Sequence, residues 1–260
     1  TTLLLGTGRM AYHLGHALQR AGLTLVGVAG RNAAHTEALA RKLGIAPFAL
    51  GAPLPRVDTI LIAVSDDAIA DVAMNIPMGD AVVIHTSGAA ELDRLLPHAH
   101  RAVLWPLISL SPGEPMDLGG VPVVIDSNTE KAQSVVSTMA HHISQQVHTL
   151  GHAQREVVHA AAAISLNLPL FLLGRAQGLL HTHGIDPLIL LPAFGAMAKK
   201  AAMVGASEAL TGPARRGDRG TIQHHLRRLA DDPELRAAYA LLSNMILRAH
   251  GHADHGHTDL

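Results

Sequence analysis

Residues 2–11 read "TLLLGTGRMA", and this decamer decides the fold. A short strand-like run, Thr2 to Leu5, leads into Gly6, Gly8 and Ala11, which fill a G-x-G-x-x-G/A pattern where a strand gives way to a helix. Each position has a physical reason. Gly6 permits the tight turn, Gly8 leaves room for the backbone to approach a pyrophosphate, and small Ala11 lets helix and strand pack closely. Amides at the helix start then meet the anion, and the helix dipole adds about 0.3–1 kcal/mol. Gly6, Thr7, Gly8, Arg9, Met10 and Ala11 are therefore candidate cofactor-binding residues.

Working outward, a helical run continues through Gln19 to Gly22, and a second strand extends from Leu23 to about Ala29. Its end is where an adenosine ribose would lie. A site selective for NAD offers Asp or Glu there, whereas this chain offers Gly30, Arg31 and Asn32. A guanidinium without the acid fits the extra 2′-phosphate of NADP through charge-assisted hydrogen bonds. The expected cofactor is therefore NADP(H), held in part by Arg31 and Asn32; the alternative is that Arg31 caps an exposed strand end.

Further strand-like runs follow at 59–64 ("TILIAV"), 81–88 ("AVVIHTSG"), 102–105 ("AVLW") and 121–125 ("VPVVI"), with helical stretches between several of them. This alternation predicts an α/β fold with a doubly wound, mostly parallel sheet covered on both faces. Ligands of such sheets bind beyond the carboxyl ends of the strands. That places Val64, Ser65, Asp66 and His85 among the candidate cofactor-binding residues, and Ser87 where it would touch nicotinamide or substrate. Asp66 or Asp67 has a second reading as a helix cap.

Composition narrows the function classes. The 260 residues are 48% hydrophobic, enough to bury a substantial core. A formal net charge of −1 gives no overall field toward nucleic acid or an anionic membrane. The absence of cysteine removes disulfide and thiolate chemistry and suits a reducing cytoplasm. No basic leader precedes "TTLLLGTG", so the expected location is cytoplasmic. Residues 157–174 lack formal charge over the length of a membrane span. His159, Ser165, Asn167 and Pro169 within them favour a buried or dimer-facing helix instead.

After about Gly151 the strand-like alternation stops, and helical segments rich in Ala and Leu run to residue 249. The expected organisation is a dinucleotide-binding domain over 1–150, a helical substrate and dimerisation domain over 151–249, and a His-rich tail over 250–260. Helices are expected at 153–182, interrupted near Pro169, and at 187–205, 218–230 and 233–249. Between the second and third lies "TGPARRGDRGT", residues 211–221. Its glycines and proline forbid a continuous helix, and Asp218 is placed to cap the next one. Thr211, Arg215, Arg216, Asp218 and Thr221 are candidate substrate-binding residues, with the guanidiniums, including Arg219, as bidentate donors to a carboxylate or phosphate. A solvated surface loop is the competing reading. His250, His252, His255 and His257 lack the spacing of a structural zinc site, so no metal is expected.

Together "GTGRMA" (6–11), "HTSG" (85–88), "WPL" (105–107), "HAAA" with Asn167, and "LTGPARRGDRGTIQHHL" (210–226) resemble Rossmann-like proteins that carry the domain of unknown function 2520. These belong to the wider group of 6-phosphogluconate dehydrogenase-like and pyrroline-5-carboxylate reductase-like folds. The resemblance implies an NADP-binding domain joined to a helical dimerisation domain, with an oxidoreductase activity of unassigned substrate. There are departures from the wider group. Where its hydroxyacid dehydrogenases carry an acid/base lysine four residues before an asparagine, this chain has Ala163 before Asn167, and no lysine lies between Lys131 and Lys199. Ile108 and Leu166 stand where relatives carry a glutamine and a second asparagine, so the pocket is expected to be more apolar. His159 would sit about 80° from Asn167 on an ideal helix. With Ser87, His159 and Asn167 complete the catalytic candidates, the histidine for proton transfer near neutral pH. Two functions compete: reduction of a small anionic carbonyl or imine compound by NADPH, and a non-catalytic NADP-binding sensor.

Overall fold

The computed structural model describes residues 1–252. The opening run forms β1 (Thr2–Leu5), whose side chains alternate between two packed faces. Leu4 joins one apolar cluster, with Leu14, Leu18 and Val136, while Leu3 and Leu5 join the other, with Ile62, Ile69 and Leu95. All are essentially sealed from solvent, and each such leucine contributes roughly 1.5–3 kcal/mol by burial.

The remaining strands are β2 (Leu25–Gly30), β3 (Ala46–Ala49), β4 (Thr59–Ile62), β5 (Val82–His85), β6 (His100–Pro106), β7 (Val123–Ser127) and β8 (Val147–Thr149). They form one sheet in the order β3-β2-β1-β4-β5-β6-β7-β8. Pairing is parallel except between β6 and β7. The mostly parallel, doubly wound sheet is therefore present. Strands β3 and β8, absent from the sequence reading, are its two edges. Helices α1 (Arg9–Arg20), α2 (Ala33–Leu43), α3 (Ile69–Met74) and α4 (Glu130–Ile143) cover the faces. Asn32 starts α2 by accepting the His35 N–H at 3.0 Å, and Thr129 starts α4 by accepting that of Ala132 at 3.2 Å.

After β8 come α5 (His152–Ala162), a π turn (Ala163–Asn167) and α6 (Leu168–Thr182). The interruption expected near Pro169 is this π turn, with the proline in the first turn of α6. Because it lies between His159 and Asn167, the 80° separation of an ideal helix does not apply. Then follow α7 (Leu190–Val204), α8 (Ala206–Ala209), α9 (Arg219–Arg228) and α10 (Pro233–Ala249).

The chain divides into two compact units, Thr1–Leu166 and Asn167 onward. This division lies beyond the compositional change at Gly151, because α5 drives the fully buried Arg155 into the first unit. The second unit has its own small core of Ala214, Ile222, Leu226 and Leu247. Its α6 and α7 contain no buried residue, so the expectation of a buried helix over 157–174 is not met within one chain. Two helical stretches, His152–Thr182 and Pro187–Val204, are long and apolar enough to cross a membrane by length and composition alone.

Candidate functional site

At β1 the sheet changes direction, since β2 lies on one side and β4 on the other. A cavity of about 1020 Å³ opens at this switch point, beyond the carboxyl ends of the strands. Its walls include Gly6, Thr7, Gly8, Arg9 and Met10 from the first turn. Gly6 sits at φ 121°, and a Cβ there would lie 2.1 Å from the Ala63 carbonyl oxygen. Gly8 is different: nothing lies within 4 Å of where its Cβ would be. No side chain caps the start of α1, and no acid occupies its first turn. Open backbone, an uncapped helix start and a cavity of this size fit a dinucleotide with its pyrophosphate at Gly8. Ala11 is fully buried and serves helix packing, so it does not line the cavity.

Arg31 and Asn32 line the other end, with His35, Leu50 and Gly51. Arg31 is exposed, and Asn32 commits its Oδ1 to the cap of α2. His35 escaped the sequence reading although it lies one helical turn beyond Arg31, a spacing that could have signalled it. Val64 and Ser65 line the cavity, but Asp66 does not; Asp71 of α3 and Asn75, just after it, do. Neither Asp66 nor Asp67 caps a helix, for no side-chain bond is made at the start of the 3-10 turn Asp66–Ala68 or of α3.

The "HTSG" segment is built inward. His85 is completely buried, so its ring is not at the surface where a cofactor contact was expected. Its Nδ1 accepts the Ser87 N–H at 3.2 Å, and its Nε2 has no hydrogen-bond partner among the described residues. Burial, and then the nearby Arg155 charge, push its pKa down to about 3, so the ring is neutral at physiological pH. Ser87 is also buried, and its Oγ accepts the N–H groups of Ala89 at 3.2 Å and Ala90 at 3.0 Å. The hydroxyl expected to face substrate thus shapes the turn.

Three further residues, Trp105, His159 and Arg155, complete this region. Gly88 packs so closely on Trp105 that a Cβ would lie 2.4 Å from the indole. The Trp105 ring lies 5.7 Å from that of His159, which is exposed on α5. Arg155, one turn earlier, donates to the carbonyl oxygens of Gly88 (3.1 Å) and Ala90 (2.9 Å) and to the Asp126 carboxylate (3.3 Å). Sequence reasoning missed Arg155. Its spacing of four from His159 in "REVVH" was the available signal.

Arg9, a cavity residue, also donates to the Leu110 carbonyl at 3.3 Å. His13 accepts the Met116 N–H at 3.1 Å and donates to the Ser111 carbonyl at 2.9 Å. These bonds tie the segment after β6 to α1, beside the glycine turn.

The loop at 211–221, in the second unit, sorts its arginines by task. Arg215 donates to the carbonyls of Ser207, Glu208 and Leu210, closing the end of α8. Arg219 donates to the His252 carbonyl at 2.8 Å. His252 Nε2 donates in turn to the Arg215 carbonyl at 3.0 Å, and the His252 ring packs on Gly217. The start of the His-rich tail is therefore docked on the loop; His255 and His257 lie outside the described residues. Asp218 caps α9, accepting the Thr221 N–H at 3.0 Å and the Thr221 hydroxyl at 2.7 Å. These two bonds, helped by the Arg216 charge, hold its carboxyl below the usual range. Thr211 is exposed, and so is Arg216, which makes no side-chain hydrogen bond among the described residues. The described residues contain no cluster able to hold a metal ion.

A switch-point cavity behind a glycine-rich turn, followed by a helical unit, defines the Rossmann-like class of dinucleotide-binding folds. Residues 121–246 match the family described as Domain of unknown function (DUF2520). It is similar to a solved protein from Bacteroides fragilis, provisionally described as an NADP oxidoreductase, at 28% identity and a TM-score of 0.87 over 95% of this chain and 97% of the other. A 1-pyrroline-5-carboxylate reductase from Streptococcus pyogenes is 13% identical, with a TM-score of 0.66 over 95% and 98% of the two chains. An imine reductase from Myxococcus stipitatus in complex with NADP+ is 17% identical, with a TM-score of 0.63 over 98% and 97%. No curated protein matched the sequence.

Proposed function

We propose that the protein is an NADPH-dependent reductase acting on a small carbonyl or imine compound that bears an anionic group. The cavity carries this reading: Gly8 is open toward it, and two nitrogen-bearing side chains, Arg31 and His35, stand at its ribose end. The similarity to the Bacteroides fragilis protein provisionally described as an NADP oxidoreductase supports it. The bound nicotinamide would supply the hydride. That hydride would go to a C=O or C=N carbon, whose π electron pair would shift to the oxygen or nitrogen, and that atom would then need a proton. His159, exposed beside Trp105, is the proposed proton donor, directly or through water. In the second unit, Asn167 and Arg216 are proposed as substrate-binding residues, Arg216 for an anionic group.

NADP selectivity is tested at Arg31. Arg31→Ala is expected to lower the ratio of NADPH to NADH affinity about tenfold or more, a loss of about 1.4 kcal/mol per decade. An unchanged ratio would remove the 2′-phosphate contact from the account.

The loop gives a second contrast. Arg216→Ala should raise KM for an anionic substrate while sparing NADPH affinity and thermal stability. Arg215→Ala should instead lower Tm, because three carbonyls at the end of α8 lose their donor. The opposite pattern would exchange the roles of the two arginines.

We further propose that the protein is a cytoplasmic homodimer with no membrane or nucleic-acid partner. The exposed side chains of α6 and α7, among them Leu168, Leu170, Phe171, Leu191, Met197 and Met203, form the apolar surface a second copy would cover. Light scattering that shows a monomer at micromolar concentration would refute this. One observation favours a non-catalytic NADP sensor instead: Ala163 stands where the wider group places its acid/base lysine. Turnover with any member of a carbonyl and imine panel excludes the sensor, and NADPH binding without turnover across the panel favours it.

A further inference from the structure

The mechanism above leaves one charged group unused. Arg155 is the largest fully buried side chain of the first unit, and its guanidinium faces three acceptors on two separate segments. A buried cation is costly unless paired and hydrogen-bonded, and here two carbonyls and a carboxylate engage the two terminal nitrogens, while Nε has no hydrogen-bond partner among the described residues. Asp126 is itself fixed, since its other oxygen accepts the Ser127 N–H at 2.9 Å. The first turn of α5 has a second tether to the same region, a contact of 3.4 Å between His152 Nε2 and a Glu91 carboxylate oxygen. The contacts close on themselves: Arg155 holds the carbonyls of Gly88 and Ala90, Gly88 packs on Trp105, Trp105 meets His159, and His159 lies one turn above Arg155 on α5.

We propose that Arg155 is a positioning residue, which sets the His159 ring against Trp105 by locking α5 to the turn at 87–90. This rests on the reading of His159 as the proton donor, and it extends that reading from a residue to its support. A guanidinium suits the task because its planar fork reaches both carbonyls and the carboxylate at once, which an ammonium on a flexible stem cannot do in the same geometry. Besides His159, the charged and titratable groups on α5 are His152, Arg155 and Glu156, and those set against it are Glu91, Asp126 on β7 and, through Arg155, His85 on β5. His85 titrates far below neutrality and is silent in the experiment that follows.

Trp105 is the chain's one tryptophan, so its emission reports on this contact alone. A protonated imidazole beside an indole quenches its fluorescence, so emission from the intact protein should show a step as the neighbouring imidazole gains its proton. His159→Gln should abolish that step. Arg155→Met should remove most of its amplitude while NADPH affinity is retained, because the cavity walls do not include Arg155. Should Arg155→Met fail to fold, Arg155→Lys and Asp126→Asn serve in its place and should reduce the amplitude in part. A step of unchanged amplitude and midpoint in the folded variants would overturn the proposal, as would a wild-type step that survives His159→Gln. The titration needs no substrate. Failure of the positioning role is thereby separable from failure of the reductase reading, which turnover decides.

Discussion

Gly6→Ala is expected to destroy nucleotide binding and to lower stability by several kcal/mol. At φ 121° an alanine is strained, at about 1–3 kcal/mol, and its Cβ would fall 2.1 Å from the Ala63 carbonyl oxygen. That atom belongs to the backbone beyond β4 and cannot rotate away, so overpacking adds roughly 1–3 kcal/mol. A total near 3 kcal/mol lowers Tm by roughly 6–12 °C in a protein of this size. Gly8→Ala is the matched control. Its φ is −80° and its Cβ would meet no atom, so Tm should stay close to wild type while NADPH affinity falls, because the methyl group occupies the space left for the pyrophosphate. A Gly6→Ala protein with wild-type Tm and wild-type NADPH affinity would contradict the described turn.

Acid should weaken the fold through His85. Its pKa is about 3 in the folded chain against 6.5 for an unperturbed histidine, so the fold favours the neutral ring. The unfolded chain therefore binds more protons across this interval. The stabilisation is complete above pH 6.5 and is lost progressively as pH falls toward 3. Its full size is about 4–5 kcal/mol, of which about 3 kcal/mol is gone by about pH 4.5. His85→Asn keeps an acceptor for the Ser87 N–H but cannot titrate. Urea unfolding should show the wild-type advantage over this variant shrinking by about 3 kcal/mol between pH 7 and about pH 4.5. Parallel pH profiles would mean that His85 is accessible to protons in the folded state.

The strongest sequence signals were those enforced by one backbone requirement. Gly6, Gly8 and Ala11 could be singled out because turn, approach and packing each tolerate few residue types; Gly6 has a positive φ, open space lies beside Gly8, and Ala11 is buried. The buried strands were legible for a related reason, since β1, β4 and β5 must be apolar on both faces. The edges β3 and β8 were not, because they are short and partly exposed: Pro47, which cannot donate to a ladder, interrupts the first, and the second has three residues with His148 at its centre. Side-chain roles were harder. His85, Ser87 and Asp66 were placed by their position at strand ends, but position does not say whether a side chain turns toward the ligand or into the fold. Arg155 shows the converse: an arginine in a helix reads as solvated until the carbonyls of a distant turn are brought to it. His252 and the loop at 211–221 meet only because α9 and α10 return the chain, a tertiary contact without a local signature.

The central claim is that the switch-point cavity binds NADPH in preference to NADH. Titration of the purified protein with each nucleotide, followed by nicotinamide fluorescence, tests it most directly. The account predicts saturable NADPH binding at least about tenfold tighter than NADH, with the difference lost in Arg31→Ala. Binding of neither nucleotide would contradict it at its root, and equal binding of both would withdraw the role given to Arg31.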